Sequence, residues 1–242
     1  VSATTASRAA SPPSGADAAR AGGNPAAGPV PAIWRALDAV VDPELDEPVT
    51  ELGFVTAVSV EDRVAHIRLR LPTYFCAPNF AYLMVADAYE AARAVPGVDA
   101  VDVRLEDHFA ADEINDGVAA GDGFAAAFPG LAAGELEELR ITFWRKAHAA
   151  EQERVASRLA RDGVDLATAR LRDAPDTARL RRRRERLGLP AGDDAPLLVG
   201  DDGAPIPADA LPLRLRLART TRISIEGNSG FCRGLLSTRY GG

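Results

Sequence analysis

Cys76 stands in Leu71-Pro72-Thr73-Tyr74-Phe75-Cys76-Ala77-Pro78-Asn79-Phe80, where a β-rich run gives way to apolar residues at helical spacing. A thiol at such a junction sits near the backbone N–H groups of a helix N-terminus. These favour the thiolate, the form that binds metal or attacks an electrophile. A small buried filler is the other common use of a free cysteine. Cys232 follows Asn228-Ser229-Gly230-Phe231, and a helix capped at Asn228-Ser229 places this thiol in a first turn too. Two thiols brought together with a His or a carboxylate suit iron, zinc or an iron–sulfur cluster. His108 ends a third β-rich run and is followed by Asp112, Glu113 and Asn115, while Asp42 and Glu44 lie in an Asp-Pro-Glu turn. Strand ends that lead into helices collect side chains in one cleft, so these groups are candidates to face Cys76. A solvated surface is the plain alternative for the acids, and His66 and His148 read as solvated residues. The sequence shows no P-loop, dinucleotide glycine pattern, HExxH motif or nucleophile elbow. An enzyme of the hydrolase or nucleotide-dependent kind is not expected.

The elements that position these residues follow from periodicity. Ile33, Trp34, Leu37, Val40 and Val41 recur at helical spacing up to Asp42-Pro43. Phe54 to Val60 and Val64 to Leu71 form a hairpin pattern around Glu61-Asp62-Arg63, the second run alternating polar and apolar residues. Pro78 opens a helix that closes at Pro96-Gly97, and Val98, Val101, Val103 and Leu105 form a third strand. The expected fold class is α+β: a small αββαβ domain over residues 32–121, with a mainly helical extension over 122–242. Residues 1–31, rich in Ala, Ser, Pro and Gly, read as a disordered tail. Within the extension, helices are expected over Gly134 to Gly163 and Asp176 to Leu187, with a loop over 188–212. Leu213, Leu215 and Leu217 then alternate with arginines ahead of the helix capped at Asn228-Ser229. Arg181, Arg182, Arg183 and Arg184 form a run whose readings are a solvated helical face or a docking site for an acidic partner.

Composition narrows the function classes. The 242 residues carry 28 Lys and Arg against 35 Asp and Glu, a formal charge of -7, which argues against a general phosphate-backbone binder. No long apolar run predicts a membrane span, the start of the chain lacks an export signal, and the two cysteines do not make a disulfide scaffold. A cytoplasmic protein with reduced thiols is expected.

Val41-Asp42-Pro43-Glu44-Leu45, Glu51-Leu52-Gly53-Phe54-Val55, Leu71-Pro72-Thr73 with Cys76-Ala77-Pro78, and Pro96-Gly97-Val98 occur in that order. Together they resemble the small iron–sulfur assembly domain of SufT, PaaD and the cytosolic iron–sulfur targeting factors. The resemblance covers roughly residues 33 to 108, and Asp107-His108-Phe109 with Glu113-Ile114-Asn115 looks like a variant of the segment that follows in some members. It implies a role in metal-centre maturation, with Cys76 at the family's reactive cysteine and Asp42, Glu44, Thr73 and Asn115 in supporting positions. Cys232, His108 and Glu113 are the candidates to complete a transient iron or iron–sulfur site, with zinc as a further possibility. The longer layout resembles an actinobacterial subgroup associated with soluble di-iron hydrocarbon monooxygenases such as propane monooxygenase. That implies a client that is either the di-iron hydroxylase or an iron–sulfur reductase component. The competing readings are a metal-free assembly adaptor for a monooxygenase subunit and a thiol-redox protein. A homodimer is compatible with the sequence.

Overall fold

The structure, a computed structural model, describes residues 28–121, 123–128 and 133–241. The expected tail therefore lies outside the described residues as far as residue 27. The chain divides into two compact units. The first takes in the residues through Pro43, Glu47–Ala133 and Phe231–Gly242, and the second Glu44–Asp46 and Gly134–Gly230.

The first unit opens with α1 (Pro29–Leu37), whose early prolines occupy the one turn that needs no N–H from them. Strands β1 (Val55–Glu61) and β2 (Val64–Arg70) pair antiparallel across Asp62 and Arg63, both of which take positive φ. Helix α2 (Pro78–Arg93) then carries the chain back so that β3 (Ala100–Glu106) pairs parallel with β2, giving the order β1-β2-β3. Helices α3 (Ala111–Ala120) and α4 (Phe124–Ala127) follow. The period-two pattern of β2 sends Ala65, Ile67 and Leu69 into a core with Ile33, Leu37, Phe54, Leu83, Met84 and Ile114, all at most 2% exposed. Burying each of the larger of these side chains contributes roughly 1.5–3 kcal/mol. The opposite face carries an ion-pair ladder: His66 and Arg68 reach Asp102 at 3.2 and 3.0 Å, and Arg70 reaches Glu106 at 2.9 Å. This is the αββαβ arrangement expected, with one polar sheet face.

The second unit contains α5 (Ala133–Arg161), a short 3-10 turn (Leu171–Asp173), α6 (Ala178–Arg186) and the start of α7 (Leu211–Tyr240). Between α6 and α7 the chain is irregular, held by isolated bridges Arg170↔Pro196 and Val199↔Pro205. Its core joins Val155, Ala156 and Leu159 to Leu171, Leu180, Leu197, Leu198 and Leu211.

One helix boundary differs from expectation. Helix α7 is continuous from Leu211, so Asn228 and Ser229 lie inside it and cap nothing. The Leu–Arg alternation mimics a strand. The stripe that decides is instead Leu211, Leu215, Ala218, Arg222, Ile225, Ser229, Cys232 and Leu236, spaced four and three and all buried or half-buried. Cys232 therefore sits deep in a helix and receives no help from an N-terminus.

Candidate functional site

Cys76 occupies the loop from β2 to α2, two residues before Pro78. It is a half-buried thiol. The N-cap residue Ala77 supplies no side-chain cap, Pro78 has no N–H, and the Phe80 N–H donates to Asn79 Oδ1 at 2.9 Å, so what the start of α2 offers Cys76 is the helix dipole more than a set of open amides.

His108 holds that loop in place. Its Nε2 lies 2.8 Å from the carbonyl oxygen of Cys76, and its Nδ1 accepts the N–H of Ala110 at 3.2 Å. A neutral ring has one donor and one acceptor nitrogen, so these two bonds assign Nε2–H and leave Nδ1 as the acceptor. Burial, assisted by the Arg239 charge, keeps the pKa of His108 below the ordinary histidine value despite the opposing bond to Cys76. Its role in this geometry is to position the backbone at Cys76. Both nitrogens are engaged, so binding a metal would require breaking the bond to Ala110.

Asn115 braces a different segment, the β3–α3 connection that carries His108. Its Oδ1 accepts the N–H of Leu105 at 2.8 Å and its Nδ2 donates to the carbonyl of Leu105 at 3.1 Å. One amide thus satisfies two backbone groups at the edge of β3 and closes the ten-residue segment containing His108. Thr73 is half-buried in the Cys76 loop, and Glu113 is exposed in the first turn of α3. Asp42 is 6% exposed in the turn closed by the Val41↔Pro48 bridge. Glu44 belongs to the second unit, where Asn228 Nδ2 donates to it at 3.1 Å. A hydrogen bond joins the expected site residues Cys76 and His108 directly. Among the described residues no three or more His, Cys, Asp and Glu side chains are grouped to hold a metal ion. The expected set of Cys76, Cys232, His108 and Glu113 is thus not assembled as one ligand cage.

Two features around the loop were not anticipated. Tyr74, Phe75 and Phe109 form an exposed aromatic cluster with ring centroids 5.0 to 6.3 Å apart, and Phe75 is 76% exposed. The end of α7 fastens onto the residue preceding His108. Tyr240 Oη donates to Asp107 Oδ2 at 2.7 Å, and Arg239 pairs with the same carboxylate at 2.6 Å. With aromatics at only 6% of the chain, the Tyr-Phe-Cys run was a legible signal of the cluster. The Tyr240 contact had none, since it spans 133 residues.

The arginine run behaves differently from a docking face. Arg184 is fully buried and Arg183 is 7% exposed. Arg183 pairs with Asp46 and lies 3.6 Å from Glu151, while Arg181 bonds to Thr177, the Ala191 carbonyl and Asp193. Arg182 remains exposed. Helix α6 is so short that a four-residue run covers its whole circumference, so part of it must point inward. The expectation of a four-arginine partner surface is corrected accordingly.

Residues 31–103 match the family model described as iron-sulfur cluster assembly protein. The matched stretch runs from α1 through most of β3 and contains Cys76, in agreement with the resemblance drawn from the sequence motifs. A domain of this kind suggests a part in cluster assembly or trafficking and is typically non-catalytic. No curated protein matches the chain. No helix among the described residues is long and apolar enough to cross a membrane.

Proposed function

We propose that this chain is a cytoplasmic maturation factor that holds iron or an iron–sulfur species briefly at Cys76 and passes it to a client metalloenzyme. The client favoured by the sequence layout is a soluble di-iron monooxygenase. The observation that carries the reading is the position of Cys76: inside the matched iron–sulfur assembly segment, half-buried, at the opening of α2. In this reading iron is cargo, bound and released by ligand exchange. Cys76 supplies one thiolate, a donor suited to iron and its clusters. His108 fixes the backbone at Cys76, Asn115 braces the segment that carries His108, and the exposed rings of Tyr74, Phe75 and Phe109 offer the client an apolar surface. Glu113, Cys232 or donors from the client complete the coordination during transfer.

The test is anaerobic reconstitution with ferrous iron and sulfide. Thiolate-to-iron absorption is expected in the native chain and absent in Cys76→Ser, with the circular dichroism spectrum unchanged. Equal iron uptake by the variant rejects the assignment.

The exposed apolar residues Leu213, Leu217, Ile223 and Phe231 on α7 favour a second reading, a metal-free adaptor that binds a client subunit. Under it a Cys76→Ala, Cys232→Ala double variant retains client binding and yields client with full iron content. Client that is bound normally but lacks iron supports the carrier reading.

A further inference from the structure

The second unit buries more polar machinery than its core requires. Arg184, with no exposed surface, spends every donor of its guanidinium. Nε donates to His148 Nε2 at 3.3 Å, Nη1 donates to the carbonyls of Pro190 and Pro196, and Nη2 donates to Gln152 Oε1 and the Leu197 carbonyl. Gln152 in turn accepts the N–H of Val199 at 2.9 Å and donates to its carbonyl at 3.1 Å. The network fixes two things: the ring plane of His148 and the course of Leu197–Val199. His148, Leu198 and Val199 line a cleft of ≈ 470 Å³, within the size range of small-molecule sites.

His148 is 1% exposed, so its orientation is set by the protein. The Arg184 Nε–H can only donate, so His148 Nε2 must accept and the ring proton lies on Nδ1. No acceptor among the described residues takes that Nδ1–H. Burial and the Arg184 charge hold the pKa down at about 4, so the ring is a neutral donor at physiological pH. The other walls are largely apolar, with Leu198, Ile206, Leu215 and Ala218 among them. The Arg184 charge behind the ring disfavours a cation at His148, and Glu153, Asp201 and Asp202 on the lining outnumber Arg214 and disfavour an anion.

We propose that this cleft binds a small, uncharged, largely apolar molecule by one carbonyl or alcohol oxygen that accepts the Nδ1–H of His148. The polar network is then preorganisation: it prevents His148 from flipping, and it keeps the apolar wall at a fixed distance from the donor. This assignment is independent of the iron-carrier reading, since every residue it uses lies in the second unit.

The probes are 2-heptanone, heptylammonium and heptanoate, compared on the full chain at pH 7 by saturation-transfer NMR. The chain with ¹⁵N-labelled histidine provides a second readout. Saturable binding of the ketone is expected, at least tenfold tighter than either charged analogue, with a shift confined to the His148 Nδ1 resonance. Ala218→Phe, which fills a partly exposed wall, is expected to abolish binding with the thermal midpoint nearly unchanged. His148→Phe is expected to weaken the ketone about fivefold, the worth of about one hydrogen bond. The assignment is overturned by no saturable ketone binding, by heptanoate or heptylammonium binding as tightly, or by a His148 resonance that does not respond.

Discussion

Replacing Asn115 with Ala tests whether the loop that carries His108 is held as described. The change removes the hydrogen bonds of 2.8 and 3.1 Å to Leu105 and leaves that residue's N–H and carbonyl without partners inside the protein. Leu105 is 2% exposed, so water does not readily replace them. Two net bonds of about 1 kcal/mol each, with part of the desolvation penalty for the orphaned groups, give a loss of about 2–4 kcal/mol. Trp34 belongs to the first unit and Trp144 to the second. Urea unfolding followed by Trp34 fluorescence in a Trp144→Phe background therefore reports on the relevant unit. The midpoint should fall by roughly 1–2 M. Alkylation of Cys76 by iodoacetamide should also change in rate, because the Cys76 carbonyl is anchored by His108, which lies on the separate segment that Asn115 braces. A loss below about 1 kcal/mol with an unchanged alkylation rate would refute the argument that Asn115 braces the site.

Other outcomes follow from the same structure. His148, held neutral with a pKa of about 4 against 6.5 unperturbed, makes the unfolded state the better proton acceptor between those values. Its contribution of about 3 kcal/mol is therefore complete above pH 6.5 and lost progressively toward pH 4. Trp144-monitored urea unfolding should lose this pH slope in His148→Phe. Gly117→Ala should destabilise although alanine normally improves a helix, because a Cβ there would lie 2.5 Å from Ala127 Cβ. A thermal midpoint equal to or above the native one would contradict this. Arg184→Met should cost about 3–5 kcal/mol by Trp144 fluorescence, since it strands the Pro190, Pro196 and Leu197 carbonyls. A loss under 1 kcal/mol would show that water replaces the guanidinium.

The first unit was legible where hydrophobic period and punctuation agreed. The alternation in Val64 to Leu71, the Pro78 start and the Pro96-Gly97 stop gave β2, α2 and β3 in order. Helix α7 was not legible from its start, because Leu-Arg alternation over 213–217 imitates a strand and Gly227, Gly230 and Gly234 resemble breakers. Its true period passes through Arg222, Ser229 and Cys232, which a hydrophobic count ignores. The arginine run failed for a related reason: charge alone predicts exposure, whereas Arg184 is buried by five acceptors drawn from α5 and from the segment after α6. The adjacency of Cys76 and His108 was anticipated from strand ends. The form of their contact was not, since backbone carbonyls leave no trace in a pattern of side-chain types.

That contact makes acidification of the loop a lopsided event. Proton uptake by His108 occurs at Nδ1, the nitrogen that receives the Ala110 amide, and turns that attraction into a clash between two N–H groups. On the far side of the ring, Nε2–H keeps its hold on Cys76 and grips harder as a cation. Acid below the ordinary histidine range therefore frays the entrance to α3 first, and the bond to the cysteine's backbone is the last to let go.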